Sequence, residues 1–179
     1  MQVITTHKNT DFDALASSIC ATLLYPGAVP VLPRSLNANV RGFLSIHKDV
    51  LETFHYEDIR LDAVDRLIVV DVNQWHRLGR IGKGLRNRED LDIILWDHHM
   101  VGGDITAGWT RQEAVGATVT LMSQQLEADA VQLSPIHATL FLAGIYEDTG
   151  NLLFPATTAA DARAAAYLLE QGADLTVIG

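Results

Sequence analysis

The chain has 179 residues, of which 48% are hydrophobic, so it can bury a sizeable core as one domain and is not a mini-protein. Its 13 Lys and Arg against 22 Asp and Glu leave a net charge of −9, which repels a phosphate backbone at long range unless cations or a local basic patch intervene. A single cysteine, Cys20, excludes an intramolecular disulfide, no apolar run approaches the ~20 residues of a membrane span, and the N-terminus lacks a leader pattern; the expectation is a cytoplasmic protein with no membrane role.

Short Val- and Ile-rich runs alternate with longer helical patterns along the chain, the pattern of a parallel sheet wrapped by crossover helices. Strands are expected at Val3–Thr6, Val29–Leu32, Leu67–Val70 and Ile93–Trp96, with a weaker fifth at Ile105–Trp109. Near-continuous apolarity implies that both faces of the sheet are covered. Helices are expected at Asp13–Leu24, Asn37–His47, Ala114–Glu127, Pro135–Asp148 and Thr158–Glu170. Ser134 before Pro135 reads as an N-cap with proline in the first helical position, and Gly172 as the stop of the last helix. The fold class is therefore α/β, doubly wound, with a mainly parallel five-stranded sheet and helices on both faces.

Four polar clusters fall at the carboxyl ends of apolar segments. In "THKNTDFDALASS", His7 follows the first strand, Asp11 and Asp13 lie in the turn, and the small residues Ala14, Ala16, Ser17 and Ser18 open a helix whose N-terminus could approach a bound anion. In "RLIVVDVNQ", Asp71 ends the third strand. In "ILWDHHMVGG", Asp97, His98 and His99 end the fourth, where burying them unpaired would cost roughly 1–3 kcal/mol each. In "LFLAGIYEDTGNLLF", Glu147 and Asp148 oppose the negative end of a helix dipole unless a cation reverses the sign. Each cluster alone has an ordinary reading as turn or cap chemistry. In a doubly wound sheet, however, the carboxyl ends of the strands converge on one crevice, and so many acids and imidazoles together call for divalent cations among them. Mixed imidazole and carboxylate donors suit manganese, zinc or iron better than magnesium or calcium, with manganese first.

The stretches "THKNTDFDALASS", "VVDVNQ", "WDHHMVGG" and "YEDTGN" resemble the four motifs of the DHH phosphoesterases, which include family II pyrophosphatases, exopolyphosphatases, RecJ-type exonucleases and nano-RNA or cyclic-dinucleotide phosphodiesterases. The wording of "NTDFDALAS" and "GIYEDTGN" is most similar to the N-terminal DHH domain of long bacterial proteins that continue into a DHH-associated domain, CBS domains and a tRNA nucleotidyltransferase or poly(A) polymerase-type unit. The resemblance implies that residues 1–179 form the DHH domain, without the DHH-associated domain expected after it. It also implies a pair of ions, one held by His7 and Asp11, the other by Asp13, His98 and Asp148, with Asp71 bridging. Asp97 would orient an imidazole or water, and His99 would reach the substrate. Thr10 and Ala16 depart from the proline and glycine usual at their places, and neither removes a ligand.

The implied chemistry is hydrolysis of a phosphodiester or phosphoanhydride in a phosphorylated small molecule or short oligonucleotide, two metals activating a water and His99 protonating the leaving oxygen. Lys8, Arg77 and Arg111 are the few basic residues near the motifs; Lys8 and Arg77 read as solvated surface groups. His47, His55, His76 and His137 are assigned to surfaces and helix faces. Lacking a second domain to grip phosphate, the isolated chain should bind metal yet turn over poorly, and should meet RNA only through further domains. The alternative is a non-hydrolytic nucleotide- or RNA-binding domain serving a nucleotidyltransferase. A phosphorelay receiver, the third option, leaves His7, His98 and His99 unexplained. A helix face could pair two protomers in a homo-oligomer, though nothing in the sequence demands it.

Overall fold

The computed structural model describes residues 1–179. Strands β1 (Gln2–Thr5), β2 (Val29–Pro30), β3 (Arg66–Val70), β4 (Asp92–Asp97) and β5 (Trp109–Gln112) form one sheet in the order β2-β1-β3-β4-β5. Every pairing is parallel. Around it lie α1 (Phe12–Leu24), α2 (Ala38–His47), α3 (Gly79–Leu85), α4 (Thr118–Ala128), α5 (Pro135–Thr149), α6 (Ala159–Glu170) and α7 (Leu175–Ile178).

The alternation of side chains along each strand divides the core in two. Ile4, Ile68, Val70, Ile94 and Trp96 face the larger core, built with α1, α4, α5 and α6. Val3, Leu67, Val69, Ile93 and Leu95 face a smaller one closed by Trp75, Leu78, Ile81 and Leu85. The chain leaves β1 toward the larger layer and β3 toward the smaller one, so neighbouring strands β1 and β3 flank the topological switch point, where open α/β sheets form their ligand crevice. No helix is long and apolar enough to cross a membrane.

Five expectations need correction. The fifth strand begins at Trp109, where the expected one ended, because Ile105 and Ala107 pack against the smaller core without joining the ladder. Its polar sequence WTRQ suits an edge with one hydrogen-bonded neighbour. Helix α4 starts at Thr118, not Ala114: the Gly116 N–H donates to the Asp161 carboxylate outside the helix, and the Thr118 and Val119 N–H groups donate to Asp13 at the crevice. Helix α3, GRIGKGL, was not expected at all, its three glycines being poor helix formers. Gly82 is required by closeness: a Cβ there would sit 2.4 Å from the Trp75 carbonyl oxygen. Gly172, at φ +97°, does close α6, but the four-residue α7 follows.

The fifth correction concerns the N-terminus of α1. Asp11 caps it, accepting from the Ala14 N–H at 2.9 Å, and the Phe12 N–H donates to Glu147 Oε1 at 3.1 Å. Those donors serve the protein's own carboxylates and not an incoming anion. The small residues after them are buried and let α5 come close, with Gly144 of α5 opposite Ala16.

Candidate metal centre

The crevice between β1 and β3 gathers all eight residues expected at the site. His7 lies just past β1, Asp71 just past β3, and Asp97 ends β4 with His98 and His99 behind it. Asp11 and Asp13 enter from the start of α1, Asp148 from the last turn of α5. Ligand-type atoms of His7, Asp11 and Asp71 lie within 4.8 Å of one another, and so do those of Asp13, Asp71, His98 and Asp148. Asp71 belongs to both groups.

Backbone and second-layer contacts aim these side chains. The Nδ1–H of His7 donates to the Lys8 carbonyl at 2.8 Å, leaving Nε2 to face Asp71 at 3.3 Å and Asp11 at 3.8 Å. His98 uses Nδ1–H on the Val115 carbonyl at 2.9 Å, and its Nε2 faces Asp148 at 3.3 Å, Asp71 at 3.4 Å and Asp13 at 3.9 Å. The Asp13 carboxylate accepts from the N–H groups of Thr118 and Val119, at 2.8 and 2.9 Å, so the N-terminus of α4 holds it in place. The Thr118 hydroxyl donates to Asp71 at 2.9 Å. Asp71 itself sits at φ +61°, with its N–H on the Trp96 carbonyl, a left-handed conformation that costs ~1–2 kcal/mol outside glycine.

Asp97 has a different task. Fully buried, it accepts from the Nδ1–H of His99 at 2.7 Å, which leaves Nε2 of this partly exposed imidazole uncommitted; a ring nitrogen of His99 lies within 4.8 Å of ligand-type atoms of Asp71 and His98. Asn73 donates to the carbonyls of His99 and Val101, and Gln112 Nε2 donates to the His99 carbonyl, fixing the loop after β4. Gly103 gives Asn73 its room: a Cβ there would stand 3.2 Å from Asn73 Cγ.

Sequence reasoning had no role for Thr118, Asn73, Val115 or Gln112. In "VVDVNQ" only Asp71 stands out, not Asn73, and the Gly116–Ala117 pair before Thr118 lies inside the helix expected from Ala114. Arg111 is not a substrate group: it pairs with Glu113, bonds Gln124 and lies 5.7 Å over the Trp96 ring. Thr10 explains one departure from the resembled pattern, because its N–H donates to the Ser35 carbonyl at 3.1 Å, a bond proline cannot make.

Charge in the crevice is unbalanced. Burial and the neighbouring Asp71 push the Asp11 carboxyl up to about 6. Burial, with Asp71, Asp148 and Asp11 nearby, holds Asp13 well above the carboxylate range. Burial works against a charge on His98, but Asp148 and Asp71 outweigh it and lift the imidazole to about 9. His7 is raised the same way, its burial outweighed by Asp71. Asp71 alone goes down, burial being overcome by His7 and the other imidazoles.

The donor set fits divalent cations. With Nδ1–H committed to Val115, a neutral His98 points the lone pair of a buried, unpartnered Nε2 into three carboxylates. Only a proton or a cation between them satisfies that geometry. Two imidazole nitrogens and carboxylate oxygens suit manganese, iron or zinc.

The model of the DHH family, N-terminal domain, matches residues 2–145. An A-adding tRNA nucleotidyltransferase of Geobacter sulfurreducens is 37% identical over 180 residues, covering 99% of this chain and 20% of that protein. A manganese-dependent inorganic pyrophosphatase of Methanothrix thermoacetophila is 31% identical over 167 residues, covering 87% of this chain and 49% of the relative. The solved structure of an exopolyphosphatase-related protein from Bacteroides fragilis has a TM-score of 0.81 at 18% identity, covering 98% of this chain and 54% of the other. The chain thus spans about a fifth of the first of these relatives and about half of the second. With the sheet order, the crevice residues and the family match in agreement, the chain belongs to the DHH family and carries its N-terminal domain.

Proposed function

We propose that this domain holds two divalent cations, manganese foremost, and serves a larger protein as the metal-bearing half of a hydrolase for phosphoester or phosphoanhydride bonds. The observation that carries the reading is the position of Asp71, whose carboxylate belongs to both ligand groups. The manganese-dependent pyrophosphatase relative supports the metal and the bond type. His7 and Asp11 would hold one ion, Asp13, His98 and Asp148 the other, and Asp71 both.

Cations in this crevice supply positive charge, Lewis acidity toward a phosphoryl oxygen and a lowered pKa for water. The rest falls to the chain. Thr118 orients Asp71 through its hydroxyl and Asp13 through its N–H, so both carboxylates present fixed lone pairs. Asp97 holds the Nδ1–H of His99; a protonated His99 would give the proton on Nε2 to the leaving oxygen and return to the neutral Nδ1–H tautomer. Asn73 and Gln112 keep that imidazole in register with the crevice.

Metal analysis combined with a phosphate-release panel, with and without manganese, tests the reading. Asp71→Asn keeps the shape and the threonine contact while removing the shared charge. In the full-length protein its manganese content should drop below the wild-type stoichiometry and its phosphate release by at least ~100-fold. An Asn variant that keeps both would overturn the proposal.

The identity to an A-adding tRNA nucleotidyltransferase favours a second reading, in which the domain holds metal and nucleotide or RNA for an attached transferase and hydrolyses nothing. The full-length protein, manganese-loaded yet inert toward generic phosphodiesters, would favour that reading over the first.

A further inference from the structure

His7 and Asp11 also line a pocket of about 470 Å³ whose other walls include Lys8, His76 and Arg77. Six of the thirteen Lys and Arg side chains are already taken: Arg34, Arg60, Arg66, Arg80, Arg88 and Arg111 each pair with a carboxylate. Lys8 and Arg77 enter no such pair, although Asp11 lines the same pocket. Their placement is built in. The Lys8 N–H donates to the Arg77 carbonyl at 2.8 Å, which locks the loop after β1 to the turn after β3. The Lys8 stem passes Gly79, where a Cβ would stand 3.5 Å from Lys8 Cγ, and the residue is exposed, so its ammonium meets solvent. Beyond Lys8 a second cavity of about 210 Å³ carries Arg34 and Arg80, two cations sharing the single carboxylate of Glu57.

Positive charge is thus arranged in a row leading away from a carboxylate-rich crevice, in a protein of net charge −9. Such a row suits an anion with several phosphates in series and adds nothing for a lone orthophosphate seated among the carboxylates and their cations. We propose that the Lys8–Arg77–His76 pocket binds a second phosphoryl group of the substrate, one link beyond the group presented to the His7–Asp71 cluster, so that this domain itself selects substrates with phosphates in a chain. The inference rests on the metal-centre reading above and gives it a substrate class. The chain of phosphates could be a polyphosphate or the backbone of a short 5′-phosphorylated oligonucleotide.

Calorimetric titration of the chain, with manganese buffered in excess, tests the pocket using three probes: orthophosphate, a methylene-bridged triphosphate and a phosphorothioate-linked pApA dinucleotide. Lys8→Ala and Arg77→Ala should each weaken a multi-phosphate probe on the order of tenfold, the scale of a charge-assisted hydrogen bond. Lys8→Arg should restore most of that loss, and Lys48→Ala, a cation elsewhere on the surface, should change nothing. Manganese stoichiometry and orthophosphate affinity should stay at wild-type values, which a merely structural defect would not allow. Weakening of both multi-phosphate probes supports the shared chemistry; weakening confined to one supports the pocket and names its source. Multi-phosphate affinity unmoved by both alanine variants, in a chain that takes up manganese and orthophosphate, overturns the subsite alone. A wild-type chain that takes up no manganese overturns the metal centre and the subsite with it.

Discussion

His98 shows how single residues set the behaviour of this crevice. Its folded-state pKa of about 9 lies above the ordinary 6.5, so without metal the protonated imidazole is what neutralises Asp148 and Asp71. Asp11, at about 6 against 3.8, is also raised. A raised group contributes its stability fully below the unfolded pKa and loses it as pH climbs through the folded one. Metal-free protein should therefore lose stability between about pH 6.5 and 9. Manganese competes for the same nitrogen as the proton, so its affinity should rise over that interval. Urea midpoints at several pH values, in chelator and in manganese, should diverge; parallel curves would mean that His98 does not face the cation position. The residue scale is also where the sequence was most legible. All eight expected site residues meet at the crevice, because histidines and aspartates at strand ends have few other reasons to cluster. What stayed illegible were neutral partners such as Thr118 and Asn73, whose roles depend on through-space contacts.

Between elements, the contact that matters most is α1 against α5. Gly144 faces Ala16, and a Cβ there would lie 2.9 Å from Ala16 Cβ, 3.1 Å from the Phe12 carbonyl and 3.2 Å from Asp13 Cα. Two of those neighbours are backbone atoms of α1, one in Asp13 itself and one in Phe12 beside Asp11. Gly144→Ala should push α5 outward, cost about 1–3 kcal/mol by overpacking, and draw Asp148 away from His98. Differential scanning calorimetry should show a lower Tm and metal titration a weaker manganese affinity; a variant with only the first would separate packing from ligation. At this scale periodicity served well where segments were long and apolar, as in α5, whose Ser134 cap and Pro135 start lie where expected. It failed at α3 and β5, where tertiary contact overrides glycine propensity and where an edge strand carries polar residues.

For the molecule as a whole, folding and metal binding are one equilibrium. The fold spends buried carboxylates on the crevice, and any cation that binds the native state but not the unfolded chain returns stability by mass action. Manganese at about 100 times its dissociation constant should add roughly 2.7 kcal/mol per site, or about 5–10 °C in Tm for a chain of this size. Scans in chelator and in manganese measure this directly. Absence of any shift would mean that the crevice takes no ion. Sheet order was readable only as a class, since the sequence shows alternation of strands and helices but not which strands become neighbours; that β1 and β3 adjoin came from the structure.

Asp71 occupies a backbone conformation in which asparagine or glycine would rest more comfortably. Thermostability and chemistry therefore pull in opposite directions at one position. A carboxylate at this bend carries a backbone cost that only its charge and its bond from Thr118 offset.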